Sequence, residues 1–183
     1  MRDEKQWIKQ IIKSGNESAA NALISKYYKE MYAFVYKQTL DPELSLDLTQ
    51  EIFIGVLRSI ASYDGKKASF RTWVYKLASN RLVDYYRSKS YKYAQSEQSI
   101  EDYEFEDHYD VAVSLEHKED YEKINALINE LDAHSQQILR LKLFGEYTLQ
   151  EIASVETIPL STVKTRYYTA LKLIRKGMEE AHG

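Results

Sequence analysis

The sequence contains no cysteine, only two prolines and six glycines in 183 residues. Without cysteine, disulfides and thiolate-bound metals are excluded. With so few turn-forming residues, an all-β chain and its many tight reversals are excluded as well. No stretch reaches the ~20 apolar residues that a spanning helix needs, and the start, MRDEKQWIKQIIKSG, has early acids and no apolar run of signal length. The expectation is a protein that stays in the cytoplasm, with no membrane insertion. Ala, Leu, Lys, Glu and Ile fill the long segments instead, which favours helix. A hydrophobic fraction of 44% is enough for a packed core.

Charge is nearly balanced, with 25 Lys+Arg against 28 Asp+Glu, but it is unevenly placed. The run EQSIEDYEFEDHYD, Glu97–Asp110, holds seven acids and no Lys or Arg. Setting these seven aside leaves 25 basic residues against 21 acidic ones, so both flanks are neutral to basic. Like charges without helical periodicity read as a linker. Such a segment is either a solvated spacer or an acidic mimic of nucleic acid lying in a partner's basic channel. The expected fold class is all-α: two small helical domains joined by an acidic linker, the second ending in a helix-turn-helix. The expected boundaries are 1–92, 93–114 and 115–183.

In the first domain, Trp7, Ile8, Ile11 and Ile12 suggest a short helix ending at Ser14-Gly15, followed by one over Glu17–Gln38. Pro42, one residue after Asp41, sits where a third helix begins. On that helix Leu48, Ile52, Phe53, Val56, Leu57 and Ile60 share the core side. Asp47, Gln50, Glu51, Ile54 and Arg58 cluster opposite. An isoleucine centred among carboxylates is either an ordinary surface residue or the middle of a docking patch that receives Arg or Lys from a partner. A fourth helix is expected over Ser69–Lys89, after the loop YDGKKAS. Phe70, Val74, Leu77, Ala78 and Tyr85 form its core face, and Trp73, Lys76, Asn80, Val83 and Arg87 a second strip. From Lys66 to Lys92 there are eight Lys or Arg and one Asp. Cations interleaved with aromatic rings suit single-stranded nucleic acid, the cations following phosphates and the rings stacking on unpaired bases. Trp73 taken alone reads equally well as a partly buried core residue.

The second domain offers helices over Leu115–Leu131 and Ser135–Phe144, then TLQEIAS. Thr148 and Glu151 make a capping box. A turn at Glu156–Ile158 leads through Pro159 into a long helix opened by Ser161 and Thr162. Pro159–Lys176 contains five cations (Lys164, Arg166, Lys172, Arg175 and Lys176) and no acid. Val163, Tyr167, Ala170, Leu171 and Ile174 are expected to face inward. Ser161, Lys164, Thr165, Tyr168, Lys172 and Arg175 are expected to face out, with hydroxyls toward base edges and cations toward phosphates of a major groove. Arg166 falls off this row and is expected to brace Glu151 or a backbone phosphate.

The segments DLTQEIF, SFRTWVYKLASNRLVDYYR and EIASVETIPLSTVKTRYYTALKLIRK, in this order and spacing, resemble bacterial RNA polymerase sigma factors of the extracytoplasmic-function class. The resemblance spans nearly the whole chain outside the linker. It implies no catalytic residues, no cofactor and no metal. It implies that Asp47, Gln50, Glu51 and Ile54 grip the clamp helices of the largest subunit of core RNA polymerase, and that the second domain meets the flap of the second-largest subunit. Asp64, Lys66, Lys67, Ser69, Trp73, Lys76, Asn80 and Arg87 would capture the opened −10 strand of promoter DNA. Ser161, Thr162, Lys164, Thr165, Arg166, Tyr168 and Lys172 would read the −35 element, and the linker would thread toward the RNA exit channel. An anti-sigma factor is a candidate further partner. Two residues depart from the pattern. Thr157 stands at the turn position usually held by glycine, where a β-branched residue shifts the turn or costs about 1 kcal/mol. Thr169 stands where a cation is frequent, and Lys172 is its candidate substitute.

Two other classes fit parts of the chain. A helix-turn-helix regulator with an N-terminal dimerisation or sensing domain accounts for the C-terminus but not for DLTQEIF or the basic aromatic strip. A metal enzyme using the acidic run with His108 or His117 lacks any helical His pairing.

Overall fold

The computed structural model describes residues 2–88 and 115–183, and every regular element among them is helical. The expected acidic linker, with Glu97–Asp110 and His108, lies outside the described residues. The N-terminal unit comprises α1 (Arg2–Ser14), α2 (Glu17–Thr39), α3 (Pro42–Ser59) and α4 (Phe70–Arg87), with a short 3₁₀ turn at Ile60–Ser62. The C-terminal unit comprises α5 (Leu115–Asn129), α6 (Ala133–Leu139) running into a π-type turn at Arg140–Phe144, α7 (Leu149–Glu156) and α8 (Leu160–His182). No described helix is long and apolar enough to cross a membrane.

Local chemistry sets most boundaries. Asn16, Asp41 and Ser69 each accept a hydrogen bond from the amide three residues on, at 2.8, 3.1 and 3.1 Å. These side chains satisfy orphan donors of the first turn. Gly15, with φ of 60°, ends α1, its N–H donating to the Ile11 carbonyl at 2.8 Å. The next helix pair differs slightly from expectation. α5 stops at Asn129 rather than Leu131, and α6 starts at Ala133 rather than Ser135. The cause is Asp132, whose carboxylate accepts from the amides of His134 and Ser135 and so fixes the start two residues earlier.

The core side expected for α3 is buried: Leu48, Ile52, Phe53, Val56 and Ile60 all pack inward against α2 and α4. α4 departs from expectation. Val83, assigned to its outward strip, is only 5% exposed, and Tyr75, Leu82 and Tyr86 are buried as well. Tyr85, expected in the core, is half-buried. α4 packs against two sets of elements. α2 and α3 form one, and α6 and α7 of the C-terminal unit the other. The apolar core is continuous from Val35 and Val74 into Ile138, Leu141, Ile152 and Val163. A smaller cluster of Ile128, Leu139, Ala170 and Ile174 seats α8 on α5 and α6.

Candidate nucleic-acid and partner interfaces

On α3 the side chains of Asp47, Gln50, Glu51 and Ile54 are all exposed, Ile54 to 49%. Helical spacing puts them on the face turned away from Leu48, Ile52 and Val56. Glu51 also forms an ion pair with Arg81 of α4, a partner that sequence spacing did not reveal. The result is an acidic stripe with an accessible apolar centre.

The loop before α4 is tied by its own backbone. The Asp64 carboxylate accepts from the Lys66 amide at 2.9 Å, and the Asp64 carbonyl from the Lys67 amide at 3.1 Å. Asp64, Lys66, Lys67 and Ser69 are exposed, and so is Arg87 at the far end of α4. Trp73, Lys76 and Asn80 are half-buried. The two readings of Trp73 meet in one position. Its ring packs on Tyr63 at 5.4 Å and Phe70 at 5.6 Å while part of it stays open to solvent. Lys76 is committed: its Nζ donates to the Val155 carbonyl of α7 at 3.0 Å.

In the C-terminal unit the capping box is complete. Thr148 Oγ1 accepts from the Glu151 amide at 3.2 Å, and Glu151 accepts from the Thr148 amide at 2.8 Å. That reciprocal bond, with a second from the Thr148 hydroxyl, holds the Glu151 carboxyl below its usual range. α7 ends on Thr157 with φ of 58° and ψ of 45°, the left-handed conformation. The Thr157 amide donates to the Ser154 carbonyl and the Ile158 amide to the Ala153 carbonyl, which is the Schellman pattern. The turn therefore keeps its shape around a β-branched residue.

α8 turns Val163, Ala170 and Ile174 inward, with Tyr167 and Leu171 half-buried. Ser161, Lys164, Thr165, Tyr168, Lys172 and Arg175 face solvent, Tyr168 to 60%. Thr162 is half-buried, and with Ser161, Thr165 and Arg166 it lines a shallow concavity of about 270 Å³ at the start of the helix. The expected brace between Arg166 and Glu151 is not made. Arg166 Nη1 lies instead 3.6 Å from the Asp132 carboxylate, while Glu151 accepts from Thr148. Burial pushes the Asp132 carboxyl up, but the Ser135 hydroxyl, the Ser135 and His134 amides and Arg166 outweigh it and hold it below its usual range.

Sequence reasoning missed the polar residues that join the two units. Arg71 Nε donates to Glu30 at 2.6 Å and its Nη1 to the Tyr147 hydroxyl at 2.9 Å, with its guanidinium 4.6 Å from the Tyr75 ring centre. Arg140 is fully buried at the π-type turn. It donates to the side-chain oxygens of Gln38, Asn129 and Gln136 and lies 5.0 Å from the Tyr86 ring centre. The only hint was a cation set between Leu139 and Leu141, which is no signal for its partner on α2.

Comparison with known proteins accounts for both units. The family profile "Sigma-70 region 2" matches residues 23–92, and "Sigma-70, region 4" matches residues 121–174. The extracytoplasmic-function (ECF) RNA polymerase sigma factor SigX of Bacillus subtilis is 27% identical over 168 residues, covering 89% of this chain and 85% of its own. The ECF RNA polymerase sigma factor SigW of the same organism is 28% identical over 188 residues, covering 96% and 97%. CnrH, solved in complex with the cytosolic domain of CnrY, shares the fold with a TM-score of 0.59 at 15% identity, over 97% of this chain and 98% of its own. The sigma factor RpoE of Bartonella quintana, solved with the anti-sigma factor NepR, does so at 0.54 and 14%, over 87% and 96%. The region 2 match removes the alternative of a regulator with a dimerisation or sensing domain, since it assigns that half of the chain. The chain belongs to the sigma-70 family, as an ECF sigma factor that directs RNA polymerase to promoters and catalyses no reaction of its own.

Proposed function

We propose that this sigma factor divides its work among three surfaces, carried by units spanning about 1–92 and 115–183 with residues 93–114 between them. The α3 stripe of Asp47, Gln50, Glu51 and Ile54 docks the clamp helices of the largest polymerase subunit. Its carboxylates receive cations from the partner, and Ile54 supplies the apolar centre that a stable contact needs. The loop Asp64, Lys66, Lys67 and Ser69, with Trp73, Lys76, Asn80 and Arg87 of α4, holds the unpaired −10 strand. Cations there follow phosphates, and the open part of Trp73 offers a stacking surface.

The third surface is α8, which reads the −35 duplex. Ser161, Thr162, Thr165 and Tyr168 approach base edges, while Lys164, Arg166 and Lys172 grip phosphates. The same unit meets the flap of the second-largest subunit. An anti-sigma protein that masks one or more of these surfaces fits the same reading, as the similar proteins CnrH and RpoE were each solved with a bound partner, NepR being named an anti-sigma factor. The protein works in the cytoplasm, where polymerase and promoter are.

The observation that carries the docking assignment is the exposed Ile54 within an acidic row opposite a fully packed core face. Asp47→Lys with Glu51→Lys is expected to abolish co-purification with core polymerase while circular dichroism stays that of the parent. Because Glu51 pairs with Arg81, the triple variant with Arg81→Glu restores an internal pair. It should remain unable to bind. Binding by either variant refutes the assignment.

A further inference from the structure

Nothing among the described residues calls for a glycine at position 55. Gly55 lies inside α3, one turn before its end at Ser59, and the chain runs on into the 3₁₀ turn at Ile60–Ser62. Its backbone is helical rather than left-handed. A Cβ built there would meet no heavy atom within 4 Å beyond its own helix backbone and chain neighbours. Neither a turn nor a tight internal contact is served. Glycine inside a helix is nonetheless the less stable choice, because it leaves the unfolded chain more freedom than alanine does.

Its neighbours give the position a meaning. Gly55 is exposed, follows Ile54 directly and stands one turn beyond Glu51. Glu51 is drawn toward α4. Arg81 Nε donates to its Oε2, and Arg81 Nη2 pairs with the same oxygen. Oε1 is left without a partner among the described residues. Bare helix backbone thus lies between an exposed isoleucine and a carboxylate tethered by one oxygen.

Packed helices lie about 8–10 Å apart according to the side chains at their contact, and glycine permits the close end of that range. We propose that Gly55 is the point at which a clamp helix of the polymerase crosses α3 at closest range. Ile54 packs beside the crossing, and a Lys or Arg of the clamp meets Oε1 of Glu51. Arg81 is a positioning residue that holds Glu51 against α4, clear of the crossing helix. A side chain at position 55 would stand on the contact plane and hold the two helices apart, loosening the stripe as a whole. The proposal rests on the docking assignment above, and its test separates the two.

The chain has no cysteine, so Lys13→Cys at the exposed end of α1 takes a single fluorophore. Unlabelled full-length variants then compete with this protein for core RNA polymerase, read by anisotropy. Gly55→Ala is expected to raise Tm by roughly 2–4 °C. The same variant should bind core about tenfold more weakly, as overpacking a close contact does, and Gly55→Leu more weakly still. A protein that is more stable and binds worse is not what a merely structural glycine gives. A Tm that fails to rise overturns the premise that the fold has no need of this glycine. Parent-like binding by both variants overturns the crossing point.

Arg81→Ala is expected to weaken binding about fivefold and to add no loss on a Glu51→Gln background, since it acts only through that carboxylate. An equal further loss on that background overturns its positioning role. Asp47→Lys with Glu51→Lys separates the remaining causes. If it fails to bind while Gly55→Leu binds like the parent, the docking surface stands and the crossing point falls. If both bind, both assignments fall.

Discussion

Thr157→Gly is expected to make this protein more stable, although glycine substitutions usually do the opposite. Thr157 sits at φ of 58° and ψ of 45°, held there by the Schellman bonds at the end of α7. An L-residue in that conformation costs roughly 1–2 kcal/mol, because Cβ crowds the following carbonyl. Glycine removes that strain but adds freedom to the unfolded chain, at about 0.4–1 kcal/mol. The side chain is exposed, so little packing is lost. The net gain is about 1 kcal/mol or less, which for a chain of this length is a rise in Tm of roughly 2–4 °C at most. Thr157→Ala relieves only the β-branching and should rise less. Thermal melts followed by circular dichroism measure both. A lower Tm for Thr157→Gly would mean that the threonine contributes more than its strain costs, and the reasoning about this turn would fail.

Two further outcomes follow from the C-terminal unit. Lys172→Ala should weaken binding to every −35 sequence and lower the salt-dependence slope by roughly one unit, whereas Thr165→Ala should leave the slope and change preference at one or two bases by roughly 1–3 kcal/mol; salt titrations of the full chain on a promoter panel distinguish them. Glu151 and Asp132 both have lowered pKa values in the fold, so the folded state binds fewer protons than the unfolded one. Their stabilisation is complete above the unfolded values near pH 4 and is lost as pH falls through the folded values. Melts from pH 7 to pH 3 should show this loss, less steeply for Glu151→Gln, while Thr148→Ala should cost about 1 kcal/mol at pH 7.

Features set by neighbours within one or two turns were legible in the sequence. Pro42 after Asp41, the Thr148–Glu151 box and the periodicity of Leu48, Ile52 and Val56 each carry their cause locally. So does the exposed row of α8, because a helix seated on one face leaves the other open. The errors have a different origin. Val83 shares a helical strip with Trp73, Lys76, Asn80 and Arg87 yet is buried, and α4 also packs on residues far along the chain. Gln137 is 61 residues from Lys76, and Val155 is 79 residues from it. Arg166, expected on Glu151 or a backbone phosphate, lies beside the Asp132 carboxylate rather than Glu151, a choice made in the tertiary fold. Arg140 on Gln38 and Arg71 on Glu30 are tertiary choices that a single sequence does not encode in any periodic form.

The most direct test of the account is transcription in vitro by core RNA polymerase on a library of genomic fragments, with and without this protein, mapping every start site. The account predicts a discrete set of new starts that share two upstream elements, present only when the protein is added and absent with Asp47→Lys/Glu51→Lys. An unchanged pattern of starts on adding the protein to active core would contradict it.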